Sequence, residues 1–180
     1  PHDSMVSAQT VVGAPDVVLR AENLVKTFKK PFRVRGQVRA VKGVSLEVLR
    51  GEIFGFVGPN GAGKTTTIKM MMGLIFPTSG RAFVLGEPVP SSAAKELLGF
   101  LPENPYFYDY LTAHEFLDLV GRLFGLTKAV RRERALRLLG RVGLARAGDQ
   151  RLRTFSKGML QRLGLAQALV NDPELVVLDE

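Results

Sequence analysis

Apolar and polar residues alternate over DVVLRAENLVKTF, from Asp16 to Phe28, and again over AVKGVSLEV, from Ala40 to Val48. A period of two is what half-buried strands require, so these stretches predict a small sheet near the N-terminus, with the basic KKPFRVRGQVR as its connector. A short apolar run, IFGFV from Ile53 to Val57, then meets a glycine-rich stretch, and TTTIKMMMGL follows it. That order predicts strand, loop and helix, the helix stopping near Phe76-Pro77. RAFVLG reads as another strand, SSAAKELL as a short helix, and GFLPE as a strand closed by Pro102. Thr112 followed by Glu115 makes a capping-box pattern, after which Phe116, Leu119, Val120 and Leu123 recur at helical spacing. Two more helices are predicted over about 129–142 and 158–170, the second ended by Asn171-Asp172-Pro173 before a terminal strand, LVVL. Strands that alternate with helices in this way place the chain in the α/β class.

At 180 residues and 46% hydrophobic, the chain supports one domain with one main core. Residues 1–4 precede Met5 and are read as a foreign lead, so the domain is taken as 5–180. Cysteine is absent, which excludes disulfides and thiolate metal sites. The longest apolar run, Met70 to Phe76, falls well short of the ~18 residues a membrane span needs. Any work at a membrane therefore needs another chain. The net charge of +8 is concentrated: 12 Lys or Arg face only Glu133 and Asp149 between Arg122 and Arg162. Such a segment suits phosphates or an anionic membrane surface, but RRERALRLLGRVGL also has the spacing of a solvated helix face, and no aromatics interleave it for stacking on bases.

The glycine-rich stretch carries the chemistry. Gly58, Pro59, Asn60, Gly61, Ala62, Gly63, Lys64, Thr65 and Thr66 spell GPNGAGKTT, which fits G-x-x-x-x-G-K-[ST] between a predicted strand and a predicted helix. Glycines let backbone N–H groups turn inward around phosphate oxygens, and the helix N-terminus adds partial positive charge. Lys64 is the candidate for charge on the β and γ phosphates, and the Thr65 hydroxyl for a Mg²⁺ ligand. Kinases, GTPases and motor ATPases all use such a loop, so alone it leaves the reaction open. LVVLDE narrows the choice toward hydrolysis, with Asp179 as a metal carboxylate and Glu180 beside the attacking water, as its general base or to orient it.

FSKGMLQRLGLAQALVNDPELVVLDE, from Phe155 to Glu180, resembles the signature-to-Walker-B segment of ABC (ATP-binding cassette) ATPases. The resemblance extends from about Val17 to the end of the chain. It implies a P-loop NTPase (RecA-like) core over about 51–102 and 171–180, an N-terminal antiparallel β subdomain over about 16–50, and an α-helical subdomain over about 103–170. ATP and Mg²⁺ are the implied cofactors. In this family two cassettes dimerise head to tail, so Ser156 and Gly158 are implied to reach the γ-phosphate held by a second ABC ATPase subunit. Lys157-Gly158 stands here for the family's Gly-Gly, and Met159 for its Gln. Phe28 stands where the family stacks an aromatic on adenine, with Phe32 as a substitute and a core role for Phe28 as the alternative. Glu103, in FLPEN, stands where the family has a glutamine that senses the metal and the water, so it is a candidate for catalysis and for the metal.

PEN, SKGM and PYFYDYLTAHEFL look most like the ATPase subunits of ABC-2-type exporters. That branch implies a transmembrane permease subunit as partner and a cytoplasmic position, peripheral on the inner face of the cell membrane, with no specific nucleic acid. Tyr106, Phe107, Tyr108 and Tyr110 are the candidate seat for the permease, with internal packing as the other reading. Family members continue past the acidic pair to a switch histidine, whereas this chain has only His2 and His114. It thus resembles a cassette truncated at its C-terminus, expected to hold nucleotide but to hydrolyse it weakly alone. Two competing readings stand beside the exporter engine: a soluble ABC ATPase acting on nucleic acid or ribosomes, and a small-molecule kinase with an Arg-rich lid.

Overall fold

Antiparallel pairing of the two alternating stretches gives the chain its first sheet. In the computed structural model, which describes residues 16–29 and 36–179, strands β1 (Val17–Lys29) and β2 (Gln37–Leu49) run side by side from Val17 opposite Leu49 to Lys29 opposite Gln37. Strand β3 (Ser79–Val84) and the short β4 (Glu87–Pro88) complete the order β2-β1-β3-β4. RAFVLG thus joins the N-terminal sheet. The inward-facing Leu24, Ala82 and Val84 bury against Ile68 and Met70 of helix α1 (Lys64–Met71), which makes the first hydrophobic cluster.

The second cluster is helical. Helices α3 (Ala113–Leu123), α4 (Lys128–Arg141) and α5 (Lys157–Ala168) bury Leu117, Leu138, Leu139 and Leu163 against one another. The capping box forms as its pattern predicts: Glu115 N–H donates to Thr112 Oγ1 at 3.1 Å, and Thr112 N–H donates to the Glu115 carboxylate at 2.8 Å. Between the clusters lie the short helix α2 (Ser92–Glu96) and strands β5 (Leu98–Leu101) and β6 (Leu175–Leu178), which pair in parallel. Helix α5 packs directly on β5. A Cβ at Gly99 would fall 2.1 Å from the Ala168 carbonyl oxygen, so only glycine permits this approach.

One expected element does not form. IFGFV makes no ladder, and its Ile53 and Val57 are 100% and 96% exposed. A strand needs a hydrogen-bonded neighbour. Strand β6 is bonded to β5 on one side, and on the other it faces Phe54 to Val57 across a cavity of about 540 Å³. Across that gap the backbone groups of the run find no ladder partner, and Gly55 at its centre weakens its own preference for a strand.

Helices α3 and α4 are also joined by charge. Asp118 accepts hydrogen bonds from Arg131 at 2.5 Å and from Arg122 at 2.8 Å. The Arg131 guanidinium, helped by Arg122, holds the Asp118 carboxyl below the usual carboxylate range against the opposing effect of burial. A depressed carboxyl stabilises the fold fully above the ordinary carboxylate pKa and loses that contribution as pH falls through it and below. Asp118→Asn should therefore melt below the parent at neutral pH, and the gap should close as pH falls through the ordinary carboxylate range and below. Melting curves across that range check it; a gap that stays constant would assign the loss to packing.

Candidate functional site

The carboxyl ends of β5 and β6 and the amino end of α1 meet at one place. Leu101 is paired with Leu178, and Asp179 N–H donates to the Leu101 carbonyl at 2.9 Å. Asp179 is the first residue beyond β6 and Glu103 the second beyond β5, so both leave the sheet at the same end. Open parallel sheets place ligands at this end.

The loop that faces it is shaped by glycine. Gly63 caps α1 at φ +89°, and a Cβ there would lie 2.4 Å from the Ala40 carbonyl oxygen of β2. The close approach seats the loop against the N-terminal sheet. Thr67 N–H and its hydroxyl both donate to the Gly63 carbonyl at 2.8 Å, which makes this the first helical hydrogen bond. The amides of Lys64, Thr65 and Thr66 therefore open toward the loop, where the helix dipole favours an anion. Lys64 Nζ donates to the carbonyls of Gly58 at 2.6 Å and Pro59 at 3.1 Å, which folds its charge back over the loop. Pro59, Asn60, Gly61 and Ala62 form its exposed rim.

Thr65 and Asp179 touch across the site. The Thr65 hydroxyl donates to Asp179 Oδ1 at 3.0 Å, joining residues 114 apart in sequence. Asp179 is 6% exposed, and its Oδ2 is buried without a hydrogen-bond partner among the described residues. A buried carboxylate oxygen with no donor is costly unless a cation meets it. One hydroxyl and one carboxylate with a spare oxygen suit Mg²⁺, which prefers one or two protein ligands and completes its shell with phosphates and water. Among the described residues no three His, Cys, Asp or Glu side chains cluster into a metal cage, so such an ion would depend on a phosphate ligand as well.

The other candidates divide. Glu103 is exposed at the shared strand end, beside Asp179 in topology. Phe28 is 42% exposed and lies under Lys26 Nζ at 5.1 Å from the ring centroid. It pairs with Val38, two residues before the Ala40 that abuts Gly63, so β2 brings it within one ladder step of the loop. Ser156 caps α5 by accepting from Met159 N–H at 3.3 Å, and Gly158 beside it is open to solvent. Both stand with the helical cluster, and no hydrogen bond or ion pair joins them to the loop among the described residues. Glu180 and Phe32 lie outside the described residues. Ala40 and Thr67 carry no motif, yet one braces the loop and the other fixes the helix start; only the run of three threonines after Lys64 hints at the second.

A profile of the ABC transporter family matches residues 41–180. The chain is 47% identical to the ABC transporter ATP-binding protein all4389 of Nostoc sp. over 95% of its own length and 51% of the relative's. It is 41% identical to the Nod factor export ATP-binding protein I of Cupriavidus metallidurans over 91% of its length and 52% of the relative's. It thus spans about half the length of these curated relatives. Among solved structures, the dimeric post-hydrolysis state of the ATP-binding cassette MJ0796, bound to ADP and Pi, superposes with a TM-score of 0.79 at 26% identity, over 90% of this chain and 73% of that one. A phosphate-type loop that meets a buried aspartate at the end of a parallel strand is thus accompanied by similarity along nearly the whole chain, and the protein belongs to the ABC transporter ATP-binding family.

Proposed function

We propose that this chain is the ATP-binding and ATP-hydrolysing part of an ABC exporter, and that it drives a separate membrane subunit by nucleotide-dependent pairing with a second cassette. The observation that carries the reading is the hydrogen bond from the Thr65 hydroxyl to the buried Asp179 carboxylate. It supports a Mg²⁺ site at the mouth of a loop built for phosphates. When bound, Mg²⁺ would neutralise developing charge on the β and γ phosphate oxygens. Lys64 holds its ammonium over the loop, the α1 amides orient the phosphates, and Glu180 takes a proton from the attacking water. Glu103, from the same strand end, helps to position that water. Phe28 stacks on the adenine, and Ser156 and Gly158 reach the γ-phosphate on the partner cassette.

No helix among the described residues is long and apolar enough to cross a membrane. Two further observations favour an exporter subunit. Tyr106, Tyr108 and Tyr110 are exposed at 81%, 41% and 59%, the first two rings meeting edge to face and the last two tilted, while Phe107 turns inward onto Phe116 at 5.2 Å between centroids. Three exposed tyrosines in one short segment suit a protein partner, here the permease on the inner face of the membrane. The similarity to a protein named for Nod factor export supports the outward direction.

Phosphate release from ATP by the 180-residue chain, with and without Mg²⁺, tests the reading. Turnover should require Mg²⁺ and should fall by about 10²- to 10⁴-fold in Glu180→Gln, the range general bases contribute, while ATP still binds. Equal turnover in the variant would remove Glu180 from the reaction. A chain that binds no ATP would overturn the whole proposal.

A further inference from the structure

The bases between Arg122 and Arg162 divide into two groups. Arg122 and Arg131 are held by Asp118, and Arg134 donates to the Val170 carbonyl at 2.7 Å with Asp172 at 4.0 Å. These fasten the helices. Lys128, Arg132, Arg137 and Arg141 of α4 are exposed and form no ion pair among the described residues. Ala135, Leu138 and Leu139 bury one side of α4; the helix repeat then sets Lys128 and Arg132 at one edge of the exposed face and Arg137 and Arg141 at the other, with Ala129, Leu136, Gly140 and Glu133, the only acid on the helix, between them. Leu136 shares that face at 55% exposure, and Leu123, at the end of α3, is 80% exposed. Lys128, Arg132 and Leu136 also line one cleft between α3 and α4, with Asp118 and Asp149 on its other side, so these two bases and the leucine are contiguous.

We infer that the outer face of α4 is a docking surface for anionic lipid headgroups. Charge complementarity is the first argument. Helix α4 alone holds six bases against one acid, four of them without an ion pair among the described residues, whereas acids slightly outnumber bases in the chain outside 122–162, so an anionic surface would orient the molecule with this side toward it. The mixture of residues is the second argument. Exposed leucines between cations are the composition of helices that rest on a headgroup layer, where the apolar tips insert and the cations meet phosphates. Nucleic acid is the poorer fit, since no aromatic on α4 is available to stack on bases. At about 21 Å, the helix is long enough to span several headgroups. The inference goes beyond the nucleotide reading and does not depend on it.

The test is sedimentation of the 180-residue chain with phosphatidylglycerol or phosphatidylcholine vesicles. It should bind the anionic vesicles and not the zwitterionic ones, less so as salt is raised. R132Q/R137Q/R141Q should lower partitioning on the order of 100-fold, since each base near an anionic surface is worth roughly fivefold. The charge-matched R20Q/K42Q/R81Q, on the N-terminal sheet, should stay within about twofold of the parent. Circular dichroism and ATP binding establish that both variants are folded. Equal loss in the two variants would mean that net charge alone acts and would overturn the assignment to α4. So would equal binding to the two lipids, or competition by inorganic phosphate at constant ionic strength, which would reduce the contact to isolated phosphate. Binding to a single-stranded oligonucleotide in preference to vesicles would overturn it in favour of nucleic acid.

Discussion

Lys64→Ala is expected to lower ATP affinity on the order of 100-fold while leaving AMP affinity within about twofold. The Lys64 ammonium donates to the Gly58 and Pro59 carbonyls and is thereby held over the loop, above the open amides of α1. A bound triphosphate would exchange those two neutral acceptors for charged ones. Both existing bonds are already charge-assisted by the ammonium, so the gain is the added attraction of an anionic oxygen over a carbonyl, about 1–2 kcal/mol for each of the two, or about 3 kcal/mol and two decades of affinity. AMP carries neither the β nor the γ phosphate and should not register the change. Titration calorimetry of both nucleotides without metal measures the ratio. If AMP weakened as much as ATP, the lysine would be holding the loop's shape and not the outer phosphates.

How much of this was legible in the sequence depended on whether the cause of each feature is local. Capping is local: Thr112 and Glu115 specify the start of α3 through two hydrogen bonds three residues apart, and the structure forms both. Apolar patterning over Val17 to Phe28 and Ala40 to Val48 likewise gave β1 and β2, which pack on the same cluster, although β1 buries adjacent residues, Val18 with Leu19 and Leu24 with Val25, where its register shifts. The run IFGFV failed for the complementary reason. Four residues with β propensity around a glycine are a strand only when another edge bonds to them, and no edge does so among the described residues. RAFVLG reads as a strand from its own residues, but its place beside β1 is a fact of topology that no short window contains.

The same distinction runs through the site. GPNGAGKTT and LVVLDE each announce their chemistry, yet nothing in either states that Thr65 and Asp179 meet, since that depends on where β6 falls relative to α1. Ala40 was not legible at all. Its role is to lend a carbonyl to the wall against which Gly63 must fit, and any residue type supplies a carbonyl. Exposure was equally hidden: NPYFYDYL shows four aromatics, and only packing decides that Phe107 turns in to Phe116 while the tyrosines stay out.

Asp179→Asn should separate the cost of this site from its use. In the metal-free protein, Asp179 is a 6% exposed carboxylate that receives one side-chain hydrogen bond, from Thr65, and leaves Oδ2 with no partner. Asparagine keeps the acceptor for Thr65 and removes the buried charge. An uncompensated buried charge costs more than an unpartnered amide. The variant should therefore gain about 1 kcal/mol without metal, a rise of roughly 2–4 °C in Tm for a chain of this size. With ATP present the sign reverses. Even outer-shell changes at metal sites cost about 10–100-fold, so loss of the one buried carboxylate among the described residues should reduce the Mg²⁺-dependent gain in ATP affinity by at least about 100-fold. Melting and ATP titration, each with and without Mg²⁺, give all four quantities. A variant that melts several degrees lower without metal would make Asp179 a structural partner of Thr65. One that keeps its Mg²⁺ response would move the ion elsewhere. Higher stability together with a lost metal response has one physical reading: a charge that the fold tolerates because a cation bound with the nucleotide will meet it.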